Sequence, residues 1–212
     1  PIHDWYKFTA GFSYRFVEQV IFQEDLINDE NALIFDPFAG CGTTLVTAQK
    51  NGINAIGNES QKLLYEVSKA KLNWNLKEDK VHGYLEFVFN QIYHNKDKYD
   101  IALSAHPLLQ SLYEPTNLYI LYLIKDSLRY IKENKYYLFF KLALSQTLHK
   151  VSIYPISNPY VTRRQRVNVH REAWDVFNDI CRKMYNDTLS VIDYKKNSKV
   201  YLHDSRQYNR YI

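Results

Sequence analysis

Apolar residues recur at helical spacing from Phe12 to Gln23, with Phe12, Phe16, Val17, Val20 and Ile21 on one stripe and Ser13 placed to cap the first turn. The pattern then changes. Ala32-Leu33-Ile34-Phe35 is an unbroken apolar run ending at Asp36, which predicts a short buried strand, and Pro37-Phe38-Ala39-Gly40-Cys41-Gly42 reads as a turn. Thr43 to Asn51 carries Leu45, Val46 and Ala48 at helical positions, with Gly52 just past the end as its stop signal. Ala55-Ile56-Gly57 is a second strand ending at Asn58-Glu59, and Gln61 to Leu76 is helical again through Leu64, Val67, Ser68, Lys71 and Leu72. Strand, helix, strand, helix in this order predicts an α/β fold built on a doubly wound parallel sheet.

The second half follows another pattern. Tyr84 to His94, Asn117 to Lys132, Lys135 to Lys150 and His170 to Tyr185 are helical by periodicity, while Val151 to Val169 reads as a loop and Lys199-Val200-Tyr201-Leu202 as a last strand. Consecutive helices with no strand between them point to a helical insertion into the sheet domain. The expected layout is one domain over 1–212: a βαβ core at 1–80, the insertion at 81–190, and a final strand with the residues after it at 191–212. A length of 212 residues fits one such domain.

Composition narrows the class without choosing a function. Hydrophobic residues are 46% and charged residues 24%, which excludes a disordered or collagen-like chain. Two cysteines, Cys41 and Cys181, make no disulfide framework, and no HxH or HExxH pattern or Cys/His spacing suggests a metal. No apolar stretch is long enough for a transmembrane span and no signal peptide is visible, so a cytoplasmic protein is expected. A net charge of +4 is too small to mark a nucleic-acid binder by itself. The Tyr-rich stretches at Tyr119, Tyr122, Tyr130, Tyr136 and Tyr137 fall at helical spacing and are expected to pack rather than to stack on bases.

Chemistry is concentrated in Asp36-Pro37-Phe38-Ala39-Gly40-Cys41-Gly42-Thr43-Thr44. A glycine turn between a strand end and a helix start brings backbone N–H groups close to a ligand. Glu59 ends the next strand, where a carboxylate can accept hydrogen bonds from both hydroxyls of a ribose. Neither a GxGxxG nor a Gly-Lys-Ser/Thr signature is present, which disfavours a dinucleotide and a phosphate-loop site.

These residues resemble those of the amino-group (N6-adenine/N4-cytosine) DNA methyltransferases, which use S-adenosylmethionine. Asp36 to Thr44 looks like their motif I, His3-Asp4-Trp5-Tyr6-Lys7-Phe8-Thr9-Ala10-Gly11-Phe12-Ser13 like motif X, Gly57-Asn58-Glu59-Ser60 like motif II, and His203-Asp204-Ser205-Arg206 like motif III. The resemblance implies a Rossmann-like methyltransferase sheet and a cofactor site made of Lys7, Phe8, Phe12, Asp36, Pro37, Phe38, Ala39, Gly40, Cys41, Gly42, Thr43, Thr44, Asn58, Glu59, Ser60 and Asp204. By it, Asp36 and the Gly40–Gly42 turn would hold the methionine end, Glu59 the ribose and Asp204 the adenine, with Phe8 or Phe12 on the sulfonium side.

One part of the family pattern is missing. Its catalytic [Asp/Asn/Ser]-Pro-Pro-[Tyr/Phe/Trp] tetrapeptide occurs nowhere in the sequence, so no catalytic residue is assigned. The nearest run, Asp100-Ile101-Ala102-Leu103-Ser104-Ala105-His106-Pro107-Leu108, offers neither acceptor nor ring at the matching places and reads either as a decayed motif or as a helical connector. The resemblance therefore implies the cofactor-binding subunit of a split, heterodimeric DNA methyltransferase, inactive alone, with a second subunit carrying the catalytic motif and double-stranded DNA as substrate. Such a half would leave a sheet edge and an apolar face exposed. An RNA methyltransferase subunit and a non-catalytic regulatory subunit of the same fold are the alternatives. Arg163, Arg164, Arg166 and Arg171 form an acid-free cluster suited to DNA phosphates, or equally to a solvated loop or a partner patch.

Overall fold

The computed structural model describes residues 1–6, 8, 11–95, 106–154, 156–157, 160–161, 171–191 and 198–210. In chain order the elements are a 3-10 turn (Ile2–Trp5), α1 (Tyr14–Gln23), β1 (Leu33–Asp36), α2 (Thr43–Lys50), β2 (Asn54–Glu59), α3 (Lys62–Lys71), α4 (Glu78–His94), α5 (Pro107–Leu112), α6 (Pro115–Leu128), α7 (Asn134–Val151), β3 (Ile156–Ser157), β4 (Tyr160–Val161), α8 (Ala173–Leu189), β5 (Lys199–Leu202) and a 3-10 turn (Ser205–Arg210). They divide into two compact units, Pro1–Asn75 with Asn186–Ile212, and Leu76–Tyr185.

In the first unit β1, β2 and β5 form a parallel sheet in the order β1-β2-β5. Asp36 lies beside Gly57 and Glu59 beside Leu202, so Asp36, Glu59 and the residues after β5 all arrive at the carboxyl edge of the sheet. Helix α1 starts after Ser13, whose side chain accepts the Arg15 N–H at 3.3 Å. Val17 and Ile21 of α1 and Leu45 and Ala48 of α2 bury themselves against Ala55 of β2 and Val200 of β5, with Ile34, Tyr65 and Leu72 packed around them. Ile34, Ala55 and Val200 share one face of the sheet through the register, so that face is the covered one.

The opposite face corrects one expectation. The Ala32–Phe35 run is not a fully buried strand: Leu33 is 56% and Phe35 37% exposed, because alternate residues of β1 point to the face opposite Ile34. Among the described residues β1 pairs with β2 alone, which leaves it at the sheet edge. The α1 stripe is narrower than its periodicity implies, since Phe12, Phe16 and Val20 remain exposed and only Val17 and Ile21 are covered. Helix α3 stops at Lys71 rather than Leu76; Trp74 folds back and donates its indole N–H to the Lys71 carbonyl at 2.6 Å.

The second unit is helical. α4 begins at Glu78, earlier than expected, and packs on α6, which packs on α7. Its interior is aromatic: Tyr84 lies 5.4 Å from Tyr136 and 6.0 Å from Phe140, which lies 6.2 Å from Phe177. Tyr119 and Tyr136 are buried as packing residues, whereas Tyr130 is exposed. The segment expected to be a loop contains the short antiparallel pair β3–β4, with Ile156 opposite Val161. No helix among the described residues is long and apolar enough to cross a membrane.

Candidate cofactor site at the glycine turn

The turn after β1 is held by hydrogen bonds that run back to the sheet. Asp36 Oδ1 accepts the Phe38 N–H at 3.0 Å, closing a local Asx turn. The Ala39 N–H donates to the Asn58 carbonyl at 2.9 Å and the Gly42 N–H to the Ala39 carbonyl at 2.8 Å. Gly40 and Gly42 have φ of +54° and +82°, the left-handed region in which a side chain is strained. Gly57 of β2 explains how the turn lies so close: a Cβ there would stand 2.8 Å from the Ala39 Cβ and 2.9 Å from Leu45 Cδ1. The glycine is needed for contact.

Glu59 is the organising acid. It is buried, and its Oε2 accepts the Gly40 N–H at 2.8 Å while its Oε1 accepts the Gln61 N–H at 2.7 Å. Charge-assisted bonds from two backbone amides fix the carboxylate in place. Each carboxylate oxygen keeps a further lone pair, so Glu59 can still accept from ligand hydroxyls. The space where a Cβ of Gly40 would lie is open, its nearest neighbour being the Phe38 carbonyl at 3.9 Å, so the backbone can be approached there. Behind the turn, the Ser68 hydroxyl is buried without a hydrogen-bond partner and presses on Gly42.

The segment after β5 joins this edge. The His203 N–H donates to the Glu59 carbonyl at 3.1 Å, and the Ser205 hydroxyl bonds to the Pro37 carbonyl. Asp204 is chelated by Arg206, whose Nε and Nη2 donate to it, and this pairing holds its carboxyl at a pKa of about 2. Asp204 is thus ionised and already partnered.

Sequence reasoning missed the role of Lys71. Its side chain is buried, and Nζ donates to the carbonyls of His3 at 3.1 Å and Tyr6 at 3.4 Å, tying the N-terminal segment to α3. Burial pushes its pKa down. The signal was available: Lys71 falls in phase with Leu64, Val67 and Ser68 on the inward side of a helix, where a cation needs acceptors. Trp5, buried beside it, donates its indole N–H to Asp187 Oδ2 at 2.9 Å. Burial and the nearby Lys71 also depress His3 to a pKa of about 4.

The structure therefore brings Asp36, Pro37, Phe38, Ala39, Gly40, Cys41, Gly42, Thr43, Thr44, Asn58, Glu59, Ser60 and Asp204 to one sheet edge. Cys41 is buried, with Sγ 3.7 Å from Thr43 Oγ1. The Phe8 carbonyl accepts the Gly11 N–H at 3.2 Å, and Phe12 is exposed with its ring edge-on to Phe16. Lys7, Arg163, Arg164 and Arg166 lie outside the described residues, as does 100–105. Arg171 is paired at the surface: its Nη2 donates to Asp179 Oδ2 at 2.6 Å. His106 caps α5 by accepting the Leu108 N–H on Nδ1 at 3.2 Å, so His106-Pro107-Leu108 starts a helix. No cluster of metal-ligating residues occurs among the described residues.

A parallel strand–turn–helix–strand with a buried acid ending the second strand is the site class of proteins that bind nucleoside-containing ligands. The family model described as DNA methylase matches residues 4–71, which span the N-terminal turn, α1 to α3, β1 and β2. Over this segment the chain is similar to the DNA methylases that the family model describes. It is 43% identical over 56 residues to the type II methyltransferase M.BsoBI of Geobacillus stearothermophilus, covering 26% of this chain and 11% of that protein. It is 34% identical over 105 residues to the type II methyltransferase M.AvaI of Nostoc sp. and of Anabaena variabilis, covering 47% of this chain and 21% of each relative. The matched stretch is thus a small part of these relatives. No solved structure gives a significant match.

Proposed function

We propose that this chain is the S-adenosylmethionine-binding subunit of a split, heterodimeric DNA methyltransferase that modifies an exocyclic amine of adenine or cytosine. The observation that carries this reading is the Asp36–Thr44 turn whose Gly40 N–H is bonded to the buried Glu59. Glu59 would hold the ribose hydroxyls with the lone pairs that Gly40 and Gln61 leave free, and the backbone at Gly40 would hold the methionine end. Lys71 keeps the N-terminal segment against α3, and the segment after β5 brings Asp204 toward the adenine. When bound, the cofactor supplies an electrophilic methyl group. This chain orients it, while a second subunit holds the target amine; catalysis is then mainly proximity and alignment. The exposed apolar face of β1 and its open edge favour a partner that covers them. The whole acts on double-stranded DNA in the cytoplasm.

Calorimetric titration of S-adenosylmethionine into the chain tests the site. Glu59→Ala should weaken binding at least about tenfold, the scale of a hydrogen bond to a charged group. The chain alone should transfer no labelled methyl to DNA, and adding a second subunit that carries the Pro-Pro tetrapeptide should restore transfer. Methylation by the chain alone would overturn the split reading.

A further inference from the structure

Among the described residues only two charged side chains are buried, Glu59 and Lys71, and both belong to the first unit. Glu59 accepts the Gly40 and Gln61 N–H groups at the sheet edge. The acceptors of Lys71 Nζ are neutral, the carbonyls of His3 and Tyr6, which favour the ammonium over the free amine without cancelling its charge. A cation only 1% exposed and bonded to dipoles rather than to a carboxylate is costly, and a donor alone would have tied down the N-terminal segment. Its position suggests what the charge does. α3 turns Ser68 and Lys71, one helical turn apart, to its buried side. Ser68 lies against the glycine turn: a methyl group on Gly42 would meet Ser68 Oγ at 2.3 Å. Lys71 follows on the same side, close enough to Cys41 for Coulomb coupling between them. His3, with a pKa of about 4, is neutral at pH 7 and adds no charge there. The glycine turn thus has a fixed carboxylate at Gly40 and a fixed ammonium on the side of Cys41 and Gly42.

We propose that Lys71 is a specificity-determining residue of the cofactor site: its buried charge selects ligands whose amino-acid end carries a free carboxylate. This rests on the cofactor reading and adds which part of the cofactor is discriminated. Nζ need not touch the ligand. Inside a protein a unit charge acts over several ångströms with far less screening than in water, and it acts with opposite sign on an anion and on a cation. S-adenosylmethionine carries a carboxylate, an ammonium and a sulfonium, whereas its decarboxylated analogue carries the two positive charges alone. Lys71 attracts the first group and opposes the other two. The ligand therefore binds with its carboxylate toward Cys41 and Gly42 and its ribose hydroxyls toward Glu59.

Calorimetric titration of the full chain with S-adenosylmethionine and with decarboxylated S-adenosylmethionine tests the proposal. The unaltered chain should prefer the carboxylated ligand. Lys71→Met should weaken S-adenosylmethionine about tenfold, the scale of a unit charge acting through several ångströms of protein, and should not weaken the analogue. Lys71→Arg, which keeps the charge, should keep the preference. A purely structural role gives another result, equal weakening of both ligands in Lys71→Met, and that result overturns the proposal. So does equal affinity of the unaltered chain for the two ligands, a measurement that needs no variant to fold. Binding of neither ligand by the unaltered chain removes the cofactor reading and this proposal with it, whereas binding of S-adenosylmethionine without any preference removes this proposal alone.

Discussion

The two units bury their surface by opposite means. In the first, small residues stand at the points of contact: Ala39 against Gly57, Ala48 and Ala55 in the core, Gly42 against Ser68. Among its buried polar groups, Gln49, Glu59 and Lys71 are bonded to backbone atoms. In the second, Phe139, Phe140, Tyr136 and Phe177 fill the interior, and its single glycine, Gly83, leaves open space where a Cβ would lie. A ligand site made of backbone needs chain to approach chain, and that excludes large side chains. Helices stacked on helices need large side chains to fill the gaps between cylinders. The first unit therefore concentrates constraint at a few positions, and the second spreads it over many.

The same substitution should show this with opposite signs. At Gly42 a methyl group would lie 2.3 Å from Ser68 Oγ and 3.2 Å from its Cα, at a φ of +82°. Gly42→Ala is expected to destabilise the first unit by about 3 kcal/mol, combining backbone strain with overpacking. Gly83→Ala, at an exposed site within α4, should stabilise the second by about 0.5–1 kcal/mol. Denaturant melts read separately for the two units by hydrogen exchange would measure both. Equal effects would end the comparison.

Lys71→Met comes next in size. It keeps the length of the side chain and removes the donor to the carbonyls of His3 and Tyr6. The loss of those bonds is partly offset by relief of a buried charge, and a net cost of about 2 kcal/mol is expected. Exchange protection should fall in the Ile2–Trp5 turn and remain in α4, α6 and α7. Uniform loss across both units would mean that Lys71 supports more than the N-terminal segment.

How much of this was legible follows the same division. Strand β5 runs over the Lys199–Leu202 stretch read from the sequence, and the Asp36–Glu59 stretch was readable because glycines, an apolar run and acids at strand ends each have one main structural use. What periodicity could not tell was how many layers cover an element. It placed Phe16 and Val20 on the same stripe as Val17 and Ile21, yet only the last two meet the sheet. Likewise it read Leu33 and Phe35 as buried, although both remain exposed. The β3–β4 pair was invisible because two-residue strands carry no alternation. Lys71 was seen as a helical position, but its acceptors lie 68 and 65 residues earlier, beyond any local pattern.

Acid should act on the first unit through His3. Its folded pKa of about 4 lies below the ordinary 6.5, because burial and then Lys71 oppose the charged form. Between these values the unfolded chain binds more protons than the folded one, so stability is full above about pH 6.5 and is lost as pH falls toward about 4. His3→Gln should flatten that part of the profile. Asp204 acts lower, between its ordinary 3.8 and about 2, so the two effects separate on the pH axis. An unchanged profile in the His3 variant would assign the acid sensitivity elsewhere.

The smallest effect is expected at Arg171, and it decides whether charge on the second unit means DNA contact. Its guanidinium pairs with Asp179 at the surface, and both side chains are more than half exposed. Such pairs contribute about 0–1 kcal/mol, so Arg171→Ala should barely change stability. If Arg171 touched a phosphate, removing it would lower the slope of log affinity against log salt by about one. The pairing with Asp179 predicts no change in slope, whereas Arg163→Ala with Arg164→Ala and Arg166→Ala should reduce it if the proposed DNA contact is made there. A drop for Arg171→Ala would show that DNA outcompetes Asp179.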